Sequence, residues 1–126
     1  MQRPKLKGAR RIVRSIRLSY AGFRYAIAQE VAIREAVIGL LILVPLSTLL
    51  PVTDLEHLIL VLSMMLVVLV EFVNSAVEAA VDRISLDDHP LAGRAKDFAN
   101  VAVVIAVLMM GLCWLVIAGP VVGRWL

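Results

Sequence analysis

Glu71, Asn74 and Glu78 stand at i, i+3 and i+7 in the segment EFVNSAVEAAVDR, directly after an apolar run, and Asp82 extends the series to i+11. On a helix this spacing sets all four residues on one stripe. Ionisable groups in a membrane helix are costly and mark a functional site by default. Three carboxylates and a carboxamide arranged in this way suit the handling of a cation, a proton or a phosphate at a membrane surface. Glu71 sits closest to the apolar run and is the hardest of the four to explain by packing. Holding its charge there costs on the order of a few kcal/mol even on lenient insertion scales. A carboxylate kept at such a position is a candidate proton acceptor.

Other polar groups should meet this stripe at the same membrane surface. Glu30 ends an amphipathic segment, and Arg94, Lys96 and Asp97 open the last apolar one. Carboxylates beside a lysine and a helix N-terminus can hold a magnesium ion and a phosphate chain. Mg²⁺ takes oxygen ligands and usually bridges one or two carboxylates to substrate phosphates, while Lys96 and the first amides of a helix suit the anion. The chain has no Gly-rich phosphate loop followed by Lys-Ser/Thr and no protein-kinase signature. A nucleotide enzyme built from it therefore lies outside the common nucleotide-binding folds. Plainer readings exist for several of these residues. Asp82 could pair with Arg83 or Arg94, Asn74 could clamp two helices, and Asp87, Asp88 and His89 could form a solvated turn.

The elements that must position these groups follow from composition and charge. At 126 residues the chain makes one small domain, and its 61% hydrophobic content and mean hydropathy of +0.91 exceed what a soluble globule of that size could cover. An all-α integral membrane protein is expected. Residues 36–53, 57–70 and 98–123 carry no formal charge, and about 20 helical residues cross a hydrocarbon core. The middle stretch is too short unless its helix continues through Glu71 to about Asp82. The reading is a basic tail over 1–8, an amphipathic surface helix over 9–29, and membrane helices over 30–52, 55–84 and 94–119. Ile12, Ile16, Tyr20, Phe23 and Ile27 form one face of the surface helix, and Arg10, Arg14, Arg17 and Arg24 the other. Gly22 could bend that helix. Pro45 should kink the first membrane helix and Pro51 end it. Asp54 is the expected N-cap of the second, and Gly119-Pro120 the expected stop of the third.

Nine of the thirteen Lys and Arg residues fall within 1–34, and Arg83, Arg94 and Lys96 flank the second connection. The positive-inside rule then puts the N-terminus and the 83–97 loop in the cytoplasm and the C-terminus outside. The long polar segment ahead of the first apolar run argues against a cleaved signal peptide. Cys113 is the single cysteine, which excludes an intrachain disulfide. A symmetric oligomer, packed through Ser75, Ala76, Ala79 and Ala80, is expected to cover the polar stripe.

The run EFVNSAVEAAVDR, followed by AGRAKD and preceded by RYAIAQE, closely resembles the prokaryotic diacylglycerol kinase family over about residues 9–118. The resemblance implies a homotrimeric inner-membrane enzyme that transfers the γ-phosphate of ATP, with Mg²⁺, to a membrane lipid alcohol. It implies Glu71 as the general base acting on the primary hydroxyl of diacylglycerol, and Glu30 and Glu78 as the carboxylates that hold the metal. It further implies nucleotide contacts from Arg11, Asn74, Asp87, Asp88, His89, Lys96 and Asp97, and a lipid site along Arg11, Arg34 and Trp114. Partners expected are the bilayer, ATP, the lipid acceptor and further copies of the chain, with no nucleic acid. Leu18, the pair Glu35-Ala36 and Pro90 depart from the family pattern. An undecaprenol kinase of the same fold is the alternative within the family. A non-enzymatic oligomer with an acidic seam is the alternative outside it.

Overall fold

A computed structural model describes residues 4, 5, 7–84 and 86–126 of the protein. The expected basic tail over 1–8 lies partly outside the described residues. Four helices follow one another: α1 (Ala9–Gln29), α2 (Val31–Ser47), α3 (Asp54–Ile84) and α4 (Pro90–Trp125). No strand occurs among the described residues. α3 is the central element, with α4 along one side of it and α2 along another, while α1 touches α2. Two helices, α3 and α4, are long and apolar enough to cross a membrane.

Gly8 precedes α1 with φ 63°, a left-handed conformation that favours glycine. α1 runs through Gly22 without interruption and ends one residue before Glu30, which is extended at φ −107° and ψ 106°. Ala26 and Ile33, on either side of this break, are both buried. α2 is shorter than its apolar stretch. It passes through Pro45 and stops at Ser47, four residues before Pro51. The Ser47 hydroxyl donates to the Val44 carbonyl at 2.6 Å and the Thr48 hydroxyl to the Pro45 carbonyl. These short local bonds offer the carbonyls an alternative to a further helical turn.

α3 starts on a capping box rather than on an Asp54 cap. The Thr53 hydroxyl accepts from the Glu56 amide at 3.2 Å, and the Glu56 carboxylate accepts from the Thr53 amide at 3.1 Å. The sequence T-D-L-E carries this reciprocal signature. Thereafter α3 contains no Gly or Pro and extends unbroken for 31 residues. α4 begins at Pro90, four residues before the expected start, because His89 caps it and proline suits the first helical position. It also continues through Gly119 and Pro120 to Trp125. Ala118 and Val121 are buried on either side of that pair, so packing holds the turn that proline leaves one hydrogen bond short.

The buried core is thin. Leu60, Ser63, Met64 and Val67 repeat at helical spacing along α3, and Ile33 and Ser47 of α2 and Ala106 of α4 are buried with them. The buried Ser63 hydroxyl is satisfied by the Leu60 carbonyl at 2.7 Å. The rest of the protein covers only 17% and 11% of the most apolar windows of α3 and α4. Leu41, Leu108, Leu115 and Val116 are more than half exposed. Such surface is stable against lipid or another apolar helix, and not against water.

Candidate active site

Because α3 is continuous, Glu71, Asn74, Glu78 and Asp82 occupy one stripe along its second half. Glu71 and Asn74 are half-buried, and Glu78 and Asp82 are exposed. The Asn74 amide nitrogen donates to a Glu78 carboxylate oxygen at 3.4 Å. The Asn74 carbonyl oxygen is buried and has no hydrogen-bond partner among the described residues. An acceptor left in this state is costly unless a ligand, water or ion satisfies it.

The stripe ends at a cleft of about 400 Å³ lined by Asp82, Asp87, Asp88, His89, Gly93 and Lys96. Lys96 reaches back across the helical hairpin, and its Nζ lies 2.6 Å from Asp82 Oδ1. Sequence reasoning offered Arg83 or Arg94 as the partner of Asp82, and the structure selects Lys96. Lys96 stands in the second turn of α4, which packs along α3, and this brings its ammonium to the end of α3. Asp97, the next residue, is exposed. His89 has a structural function in addition to its place in the cleft: its Nδ1 accepts from the Leu91 amide at 3.1 Å and caps α4. Replacing His89 by alanine is expected to lower stability by about 1 kcal/mol, the usual cost of a lost N-cap, and asparagine should restore it. Unfolding of the purified protein in mixed micelles by a denaturing detergent measures both.

Glu30 is brought to the face of α3 next to the stripe. It lines a cleft of about 530 Å³ together with Phe23, Phe72, Ser75, Ala76 and Ala79. Phe23 and Phe72 stack there at 6.1 Å, which ties α1 to α3. Neither aromatic carried a functional signal in the sequence. Arg34 does not point along this cleft but back to α1, donating to the carbonyls of Ile27 at 3.0 Å and Ala28 at 3.4 Å. Arg11 is exposed near the start of α1, beside Ile12, Ser15 and Ile16. Trp114 lies 18 residues beyond Lys96 on α4, roughly 27 Å along the helix. Its indole N–H is buried without a partner among the described residues. Among the described residues no three His, Cys, Asp or Glu side chains lie close enough together to hold a metal ion. The protein therefore offers oxygen donors singly or in pairs.

Similarity to known proteins converges on one family. A family model described as prokaryotic diacylglycerol kinase matches residues 17–118. That span contains every residue named above as a candidate except Arg11. The diacylglycerol kinase of Escherichia coli (strain K12) is 38% identical over 110 residues, covering 87% of this chain and 90% of the relative. The diacylglycerol kinase of Pseudomonas aeruginosa is 37% identical over 107 residues, 85% of this chain and 87% of the relative. That of Helicobacter pylori (strain ATCC 700392 / 26695) is 38% identical over 111 residues, 88% and 87% respectively.

Proposed function

The chain belongs to the prokaryotic diacylglycerol kinase family, and on that premise we propose that it transfers the γ-phosphate of ATP to the primary hydroxyl of diacylglycerol at the cytoplasmic face of the inner membrane. The observation that carries this reading is the order of groups along α3. Glu71 stands nearest the apolar half of α3, Asn74 and Glu78 follow within roughly 10 Å of helical rise, and the Asp82–Lys96 pair borders the cleft at the far end. That order matches a membrane-held hydroxyl below, a phosphate chain alongside and the nucleotide above.

In this mechanism Glu71 takes the hydroxyl proton. The hydroxyl oxygen forms the new bond to phosphorus, and the bond to the β–γ bridging oxygen breaks to leave ADP. Phosphoryl transfer needs positioning and charge neutralisation more than covalent help. Lys96 faces the phosphates, and Arg11, Asp87, Asp88, His89 and Asp97 border the nucleotide. The Asn74 side-chain oxygen, buried without a partner among the described residues, and the Glu78 carboxylate one turn on are oxygen donors of the kind a hard cation takes, and Glu30 lines the adjoining cleft beside α3. Glu30 and Glu78 would hold Mg²⁺, which when bound would neutralise charge along the phosphate chain. Arg11 and Trp114 are lipid-side positions implied by the family pattern.

A third span formed by α2 and its flanks, an N-terminus in the cytoplasm and a C-terminus outside belong to the same reading. They are supported by the bias of Lys and Arg toward residues 1–34. The exposed Glu78 and the bare apolar faces call for cover by further copies, and the family resemblance implies that there are three.

The test is γ-phosphate transfer by the purified protein in mixed micelles, with diacylglycerol and undecaprenol as separate acceptors. Transfer to diacylglycerol is expected, and native mass measurement of the same preparation should give three copies. Transfer to undecaprenol alone would keep the mechanism and change the acceptor. A folded protein inactive on both lipids would overturn the kinase reading, and a single-copy mass would overturn the trimer.

A further inference from the structure

The break between α1 and α2 is closed by a side chain from the second helix. In an unbroken helix the carbonyls of Ala26, Ile27 and Ala28 would accept from the amides of residues 30, 31 and 32. The Glu30 amide still reaches the Ala26 carbonyl at 2.8 Å. The chain then turns extended, which takes the next two amides away from the Ile27 and Ala28 carbonyls. Arg34 supplies the missing donors, with Nε to Ile27 and Nη2 to Ala28. Its own amide binds the Glu30 carbonyl at 3.0 Å. The last turn of α1 has no basic residue, so the same guanidinium also provides the cation that a helix C-terminus favours. Glu30 makes no side-chain cap hydrogen bond to its own helix, and it lines a cleft with Ser75 and Ala79 of α3.

We propose that Arg34 is a positioning residue: by clamping the end of α1 it fixes the break at Glu30 and so sets the Glu30 carboxylate against α3, and it does not contact the lipid acceptor. This role rests on the reading of Glu30 as a ligand of the magnesium nucleotide, and it replaces the lipid contact that the family pattern implies for Arg34. Two carbonyls on successive residues need two donors in a fixed fork. Arginine presents them, and lysine presents a single point of charge.

Full-length Arg34→Gln, Arg34→Lys and Glu30→Gln proteins in nanodiscs separate the possibilities. Three quantities are read: amide hydrogen exchange over residues 27–34, binding of Mn²⁺ with a non-hydrolysable ATP analogue by electron paramagnetic resonance, and KM for diacylglycerol. Arg34→Gln should speed exchange at Glu30 and Arg34 by about tenfold through local opening. It should weaken Mn²⁺–nucleotide binding by about 10- to 100-fold, as loss of a group that orients a metal ligand does. KM for diacylglycerol should stay within about twofold, because binding to the acceptor is untouched. Arg34→Lys should fall between Arg34→Gln and the wild type. Glu30→Gln should weaken the same metal binding with exchange unchanged. Unchanged exchange in Arg34→Gln, or a large rise in KM for diacylglycerol with metal binding intact, would overturn the proposal. If Glu30→Gln leaves metal binding unchanged, the ligand reading of Glu30 fails. The exchange data then still decide whether Arg34 clamps the break.

Discussion

Glutamine at position 71 is expected to lower kcat for diacylglycerol phosphorylation by about 10²- to 10⁴-fold, the range that a positioned general base contributes. Glutamine has nearly the shape of glutamate and keeps hydrogen-bonding capacity, but it cannot accept the hydroxyl proton. Glu71 is half-buried on α3 one turn below Asn74, so the variant should leave the outer cleft and its Asp82–Lys96 pair intact. Affinity for an ATP analogue should therefore remain close to that of the wild type. Stability should hold or rise, since a charge at this depth is a cost that the fold carries for function. Glu71→Asp keeps the carboxylate but withdraws it by one methylene, and a misplacement of about 1 Å can cost on the order of 10²-fold. Initial rates with saturating lipid and nucleotide measure both variants. A Glu71→Gln enzyme within tenfold of wild type would remove Glu71 as the base and leave it an electrostatic role.

Much of this arrangement is legible in the sequence because the chemistry is written at helical spacing. One uninterrupted helix turns i, i+3, i+7 and i+11 into a stripe, and α3 has no Gly or Pro to break it. The all-helical class follows from apolar runs that only a bilayer could cover. The misread boundaries have separate causes. Thr53-x-x-Glu56 outcompetes Asp54 as the cap because two reciprocal bonds satisfy more donors than one. Pro120 stays inside α4 because Val121 is packed, a tertiary effect with no local signal. Ser47 ends α2 ahead of Pro51 through hydroxyl bonds that sequence pattern does not rank. The pairing of Lys96 with Asp82 depends on how α4 packs along α3, and His89-Pro90 starts α4 four residues earlier than the charge pattern suggests. The contacts of Glu30 and Arg34 depend on a break with neither proline nor glycine, so periodicity alone could not locate them.

Lys96 and Asp82 should respond to mutation very differently, although they form one ion pair. Their side chains are 42% and 45% exposed, and the pair closes at 2.6 Å. Exposed pairs contribute only about 0–1 kcal/mol to stability, so Lys96 can leave Asp82 at little cost. A triphosphate carries several negative charges and offers Lys96 the stronger partner once nucleotide enters the cleft. If Lys96 meets the phosphates as proposed, Asp82 is a resting place that keeps the ammonium at the cleft mouth. On this reading Lys96→Met lowers kcat/KM for ATP by about 10²- to 10³-fold, comparable with removing one preorganised donor from a transition state. Asp82→Asn should change it by less than about fivefold, because only a weak exposed contact is lost. Neither change should move the unfolding midpoint in detergent appreciably. The opposite model makes the pair a structural clamp between α3 and α4. It predicts equal losses for the two variants, a fall in stability alongside activity, and a double mutant no worse than either single one. Kinetics and unfolding of the two single variants and the double variant distinguish these models. Equal losses from Lys96→Met and Asp82→Asn would move Lys96 from the phosphate site to the scaffold.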